Sequence, residues 1–490
     1  MAEENVMIGE TNTDAALDEQ ANISGSGQPV VETGDKNPCP ASARLKTGTS
    51  DGAWFNTLSP FEHFDSIRTQ VFPHTCTAQQ IAGSDRVAIV TRLSVGDYQS
   101  PYNALTRNRD ELFVYGGYVA QDNGAYLAKL DPVTLREAWR VYMRVASDNH
   151  FNWPGVAGIH ANGFVYAIAG NLLAKVNSDT AEMLMTRLPE HPGQGGAVYN
   201  GFVISPQGVI FAKSMERGAN CPSDCNSICG LACAAKNNVP AFLVAVDPRN
   251  LSFIAQTETP EPVIGRIMTD QQDGIDYIYC PGVTSVWRYA FINGILELDT
   301  SWGPVPYVKG KEQPGTGCGL LGDWMVVQTN FLRSRAPLAV WAINKWDSNK
   351  FHTIRPFPEG TPSQEWSKPA LDRENMRVFT SDQLVGKVTA LDFDPQRGFM
   401  RRWEAMQTMS SFWAVVADGN NRQIIGTDYA EKRDHAVWRD AATGQEIVRS
   451  APLDKRKNGD IIIPGFDGKF YYMAVNSQKV VELSLVPQGA

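Results

Sequence analysis

From about residue 86 onward the chain is a succession of short apolar runs, each bounded by Gly, Pro, Asn or Asp, with no convincing amphipathic helix among them. Such runs predict β-strands. They also recur: "DELFVYGGYVAQDNGAYLAKLDPVTLREAWRVYM" is followed by "VAGIHANGFVYAIAGNLLAKVNSDTAEMLMTRL" with the same layout. Aligned, "AYLAKLDPVTLREAW", "AFLVAVDPRNLSFIAQT", "KVTALDFDPQRGFMRRW" and "HAVWRDAATGQEIVRS" share one template, an apolar strand, an Asp or Asn turn and a second strand. A further apolar strand, such as "NGFVYAIAG" or "DWMVVQTN", precedes each copy.

Four-strand units that return about every 40 to 45 residues predict an all-β fold, a single β-propeller in which each blade buries its faces against its neighbours. Counting from residue 99 gives eight blades, or seven if one has been divided wrongly. The last unit, "GDIIIPGFDGKFYYMAVNSQKVVELSLV", supplies three strands, and "DRVAIVTRL" at 85–93 is the expected fourth, closing the ring from the N-terminal side. Residues 1–50 are polar and aperiodic and read as a flexible or surface-draped arm, leaving 51–490 as the propeller with an insertion at 214–240 in the third blade.

The template resembles the repeat of the quinoprotein alcohol dehydrogenase-like, or PQQ-like, propeller superfamily, in which a strand, an Asp-x-x-Thr-Gly turn and a Trp-bearing strand recur around eight blades. "LDPVTLREAW" (130–139) and "RDAATGQEI" (439–447) carry it best. The resemblance covers most of residues 99–486 and implies a fold. Catalytic quinoproteins of that superfamily also carry an adjacent Cys-Cys pair over the quinone, and this chain has no such dipeptide, so activity does not follow from the fold.

Composition narrows the partners. Of 490 residues, 43% are hydrophobic and 20% charged, enough for a large core, and the net charge of −9 argues against a nucleic-acid surface. No apolar run has the length of a membrane span, and the acidic start is not a basic-then-apolar signal. Eight cysteines, an even number, favour disulfides and an oxidising compartment, hence a secreted or periplasmic protein whose signal peptide is absent from the chain as given.

In a propeller, the loops from strand d to the next strand a and from b to c rim one face of the central funnel, so distant residues converge there. Asp148, His150 and Asn152 with the stacking face of Trp153 form one candidate cluster, offering a proton carrier and an orienting amide. Glu365 and Lys368 form a second, a possible acid and base, flanked by Trp366. Tyr102, His191, Arg266 and Trp413 are further substrate-binding candidates. Each has a bland alternative, loop packing for Trp153 and an inter-blade ion pair for Glu365 with Lys368. His150, His191 and His435 lack metal-motif spacing, so no metal ligand is assigned; copper, zinc, calcium or a quinone stay open as cofactors, with none favoured.

Cys221, Cys225, Cys229 and Cys233 sit in the insertion on the funnel face, where it is placed to act as a lid. Repeated C-x3-C does not match the usual zinc pairs, and two internal disulfides between alternate members are the favoured reading. Cys39 with Cys76, and Cys280 with Cys318, are the remaining candidate pairs. The expected function is an enzyme acting on a small organic, possibly aromatic, substrate in the funnel, leaning towards an oxidoreductase. The alternatives are a cofactor-independent lyase, isomerase or hydrolase, and a propeller that binds a ligand or protein without chemistry.

Overall fold

The computed structural model describes residues 6–7, 39, 42, 44–83, 86–117, 124–144, 155–222, 225, 227–409, 411–417, 419–453, 461–474 and 477–488. Eight sheets follow one another in sequence, each built on four antiparallel strands in up-and-down order, and three of them carry a further two-residue strand. The innermost strands of blades 1 to 8 are Pro101–Thr106, Val156–Ile159, Ala197–Ile204, Met268–Gln272, Cys318–Leu321, Ala370–Asp372, Ala414–Val416 and Ile461–Pro464. In blade 8 the outer strand is Val87–Leu93, antiparallel to Val480–Pro487 with Val87 opposite Pro487 and Leu93 opposite Val481. The ring is thus closed by the N-terminal strand, as its sequence predicted.

Most inner strands are buried along their whole length, whereas outer strands such as Phe253–Glu258 alternate between covered and exposed. Inner strands are sandwiched between two neighbouring blades; outer ones have a solvent side. The Asp or Asn of the repeat has a local task. Asp131 Oδ1 accepts the amides of Val133 and Thr134, and Asp440 Oδ1 those of Ala442 and Thr443. Asn177, Asn344 and Asp394 do the same in blades 2, 5 and 6. In these five blades the turn between strands c and d is therefore fixed by its own side chain, which satisfies amides that no strand can reach.

The channel of the propeller is occupied by its own chain. Between Ser59 and Phe72 the backbone makes one circuit of the channel and bonds to the innermost strand of every blade. Ser59 Oγ donates to Pro464 O of blade 8, and Ser59 O accepts from Thr106 of blade 1. Pro60 O accepts from Ile159 of blade 2, Ser66 Oγ exchanges bonds with Ile204 of blade 3, and Ser66 O accepts from Thr269 of blade 4. Ile67, Thr69 and Gln70 carbonyls accept from Leu320, Leu371 and Val415 of blades 5, 6 and 7, after which Val71–Phe72 pairs in parallel with Val415 and Val416. The circuit bends at Phe64, Arg68 and Gln70, whose φ angles are 71°, 59° and 58°. Non-glycine residues enter this region at a cost, which the surrounding hydrogen bonds offset.

Short helices interrupt the β pattern. Ala78–Ala82 begins with a capping box from Thr77 and Gln80. Ser227–Ala234 lies in the cysteine-rich insertion, between strands Ile210–Glu216 and Phe242–Val246 of blade 3. The insertion is stapled by Cys221–Cys233 and Cys225–Cys229, a nested pairing instead of the alternate one expected, because two of the cysteines lie on the helix and two on the loop before it. Cys39 is bonded to Cys76.

Cys280 and Cys318 are free thiols, contrary to their expected bridge. Cys280 points into the apolar core between blades 3 and 4, whereas Cys318 Sγ approaches Arg266 O at 3.1 Å, so the two face different surroundings.

Close approach of the circuit to the inner strands depends on small residues. A Cβ at Gly319 would lie 2.8 Å from Arg68 O and 2.5 Å from a Leu371 methyl. Gly319→Ala is expected to destabilise the protein by about 1–3 kcal/mol through overpacking, read as a lowered urea midpoint with an unchanged slope.

Candidate functional site

The circuit carries four polar side chains, Glu62, His63, Arg68 and Gln70, into the middle of the channel, where all are essentially inaccessible to water. Gln70 spends its amide on the carbonyls of Lys368 and Pro369. Glu62 is the centre of the rest. Its Oε1 lies 3.4 Å from Arg68 Nη1 and 3.2 Å from His63 Nε2, and its Oε2 accepts from Arg266 Nη2 at 3.3 Å. Arg266 reaches in from the loop entering blade 4 and also donates to the Tyr102 hydroxyl of blade 1 at 2.9 Å. Arg68 is fixed in addition by the carbonyls of Ile267 and Phe202.

Electrostatics follow from burial. Burial by itself would raise the Glu62 carboxyl, but Arg266, His63 and Arg68 outweigh it and hold Glu62 far below the ordinary carboxylate range. Burial lowers His63 to about 4 against the opposing pull of Glu62, so its ring is neutral at neutral pH. Lys368, on the loop entering blade 6, is lowered to about 7 by burial and then by Arg266. Its ammonium bonds Thr316 Oγ1 and lies 5.1 Å from the centre of the Phe412 ring, on which His63 stacks at 5.1 Å. Lys213, also fully buried, donates to Val263 O and is driven well below its ordinary value by desolvation.

Two nitrogens at this centre have no hydrogen-bond partner among the described residues: Nδ1 of His63, whose Nε2 faces Glu62, and Nη1 of Arg266. Buried polar atoms are nearly always paired, by water or ligand where protein does not serve. Even with Lys213 neutral, two guanidiniums here face one carboxylate. The arrangement can bind an anion, orient it with Arg266 and Tyr102, and exchange a proton through Lys368 near neutral pH.

The insertion lies above this centre on the funnel face. Leu231 and Ala234 of its helix pack with Val198 and Met215 of blade 3, Ile264 before blade 4 and Phe331 of blade 5, and Trp366 packs against the same group. Phe331 is also a ring under the Lys368 ammonium, 5.2 Å from its centroid. The channel is therefore bounded by the chain circuit on one side and by a cover that crosses from blade 3 to the loop before blade 6 on the other.

Of the residues singled out from sequence, Tyr102, Arg266 and Lys368 meet here. Asp148, His150, Asn152 and Trp153 lie outside the described residues. Glu365 does not pair with Lys368: it accepts from the Ser367 amide and the Ser381 hydroxyl, and burial holds it well above the usual carboxyl value. Trp366 belongs to the cover. Trp413 is core between blades 6 and 7, beside Phe379 and Val71. His191 stacks on Phe242 at 4.3 Å at the edge of blade 3, and His435 lies in strand Arg433–Asp440 of blade 7 with Nδ1 at Ser450 O. These two histidines do not share a site. Glu62, His63 and Arg68 were missed, because "SPFEHFDSIRTQVF" has no strand period; its signal is Glu, His and Arg interleaved with Phe and Ile.

No protein-family model and no curated protein sequence matches this chain. Solved structures do match in fold. The europium-containing methanol dehydrogenase superposes with a TM-score of 0.58 at 9% identity, covering 89% of this chain and 98% of that one. The quinohemoprotein alcohol dehydrogenase from Comamonas testosteroni gives 0.57 at 9% identity, covering 91% and 84%. That of Pseudomonas putida HK5 gives 0.56 at 9%, covering 90% and 81%. The shared property is the eight-bladed propeller of quinoprotein dehydrogenases. The central groups described here do not fit a quinone paired with a metal ion: hard cations gather several oxygen ligands, whereas both Glu62 oxygens already face guanidiniums or the His63 ring. Adjacent cysteines are also lacking; the insertion's bridges join residues four and twelve apart.

Lys368 gives a signed prediction. Its folded value of about 7 lies below that of an unfolded lysine, about 10.4. Between these values the unfolded chain binds more protons, so this group's penalty is full below about pH 7 and fades as pH rises. Lys368→Met is expected to stabilise the protein more at pH 6.5 than at about pH 9.5, measured as the difference between variant and wild-type urea unfolding free energies.

Proposed function

We propose that the protein is an enzyme that binds a small organic anion in the centre of its propeller and transfers a proton to or from it. The observation that carries this reading is the buried excess of cationic groups around Glu62 with Arg266 Nη1 and His63 Nδ1 unpartnered. Arg266 and Tyr102 hold the anion, Lys368 is the proton carrier, and neutral His63 on Phe412 supplies a second polar contact. Acid–base chemistry of the lyase, isomerase or hydrolase kind suits these groups better than the dehydrogenase chemistry named for the structural neighbours. Three disulfides support the reading of an oxidising compartment, and so of a secreted or periplasmic protein. No helix among the described residues is long and apolar enough to cross a membrane.

The test is a thermal-shift and calorimetric panel of benzoate, succinate and citrate against the matched neutral alcohols, the latter also with pyrroloquinoline quinone and calcium. Carboxylates are expected to raise the melting temperature of the wild type and to bind Lys368→Met about tenfold or more weakly, the size of a lost charged hydrogen bond. Stabilisation by quinone and calcium with no response to any carboxylate would replace this reading with a quinone-dependent oxidoreductase.

A further inference from the structure

The four cysteines of the cover are closer together than two separate disulfides require. The sulfurs of Cys221, Cys225 and Cys233 all lie within 4.8 Å of one another, and Cys225 Sγ is 3.6 Å from Cys233 Sγ although each is bonded elsewhere. Cys229 stands outside this trio and is joined to it through its bond to Cys225. We propose that, after reduction, these four thiolates form a tetrahedral binding site for a thiophilic divalent cation of the zinc type, independent of the channel centre below.

Geometry carries the inference. Zinc–sulfur bonds of about 2.3 Å in a tetrahedron set neighbouring sulfurs about 3.8 Å apart, and the non-bonded 3.6 Å contact is already at that separation. Each bonded pair needs to open by about the difference between a disulfide bond and such an edge, roughly 1.8 Å, and once Cys225–Cys229 is reduced the Cys229 side chain must swing in to complete the tetrahedron. Cys229 and Cys233 stand four residues apart on the helix Ser227–Ala234, hence on one helical face, and Leu231 and Ala234 pack that helix against the blades. Cys225 is held from the other side, its carbonyl accepting from Arg217 Nε at 2.9 Å. The Arg217 guanidinium beside the cluster offsets the negative charge of a tetrathiolate and favours ionised thiols. The even C-x3-C spacing, which does not resemble a zinc motif in sequence, is brought to zinc geometry by the turn between Cys221 and the helix.

The chemistry balances with a dithiol reductant. Each protein disulfide accepts two electrons and two protons from one dithiol, which leaves as its own disulfide. The cation then displaces four thiol protons and forms four metal–sulfur bonds.

The experiment uses the full chain, oxidised and after anaerobic reduction with excess dithiothreitol and desalting, titrated with cobalt(II) and then zinc(II). The reduced wild type is expected to take up one cobalt per chain with thiolate-to-cobalt charge-transfer and tetrahedral ligand-field bands that zinc abolishes, while the oxidised protein shows neither. Cys221→Ser with Cys233→Ser should lose the bands, and Cys280→Ser with Cys318→Ser should keep them. Absence of the bands from reduced wild type overturns the proposal without reference to any variant. So does their loss in the Cys280 and Cys318 variant, or their full retention in the Cys221 and Cys233 variant. Circular dichroism of the reduced wild type verifies that the propeller is intact when the titration is read.

Discussion

An ionised carboxylate shut away from water sets the terms for the middle of this molecule. Glu62 keeps its charge only because Arg68 and Arg266 stand against it, one from its own segment and one from the loop entering blade 4. Removing Glu62 would leave both guanidiniums buried without a counter-charge, which is far more costly than the net worth of either pair. The position of the segment and the arrangement of the blades are therefore specified together. Arg68 adds main-chain contacts to blades 3 and 4, so the same guanidinium that compensates Glu62 also ties the segment to the ring.

Two fastenings of different kinds hold the ring. At the circumference, Val87–Leu93 completes blade 8 by ordinary strand pairing. At the axis, a segment of irregular backbone takes the place of the water or loose side chains that would fill a propeller channel, and its carbonyls and serine hydroxyls accept the amides that the inner strands turn towards the axis. Without it these amides would need solvent. The polar centre is thus a product of construction as much as of chemistry: a channel lined by main chain needs polar fillers, and those fillers have left Arg266 and His63 with unused hydrogen-bonding capacity.

The blades were legible in sequence because each repeats the same physical problem, two buried strands and a turn whose Asp or Asn bonds its own following amides. The closing strand at 85–93 was legible for the same reason, as a strand-length apolar run lacking a blade. The axial segment was not. Its residues satisfy partners scattered over eight blades, so no local period records them, and Glu62 and His63 look like any surface pair in a loop. Tyr102, Arg266 and Lys368 could be picked out since loops entering inner strands must point at the axis, but sequence could not say that Lys368 would bond Thr316 and not Glu365. Cysteine pairing was legible as to number within the insertion and not as to partners, which the helix decides.

The axial circuit also measures the ring. A stretch of fixed length, from Ser59 to Phe72, meets the inner strands in ring order, with Ser59 touching blades 8 and 1 together. Gaining or losing a blade by duplication or deletion, the ordinary way such repeats diversify, would leave this segment too short or too long to meet itself. It is also synthesised before any blade, while one of its partners, Pro464, follows 405 residues later. The ribosome therefore releases the gauge first, and the ring can close on it only after the eighth blade has emerged.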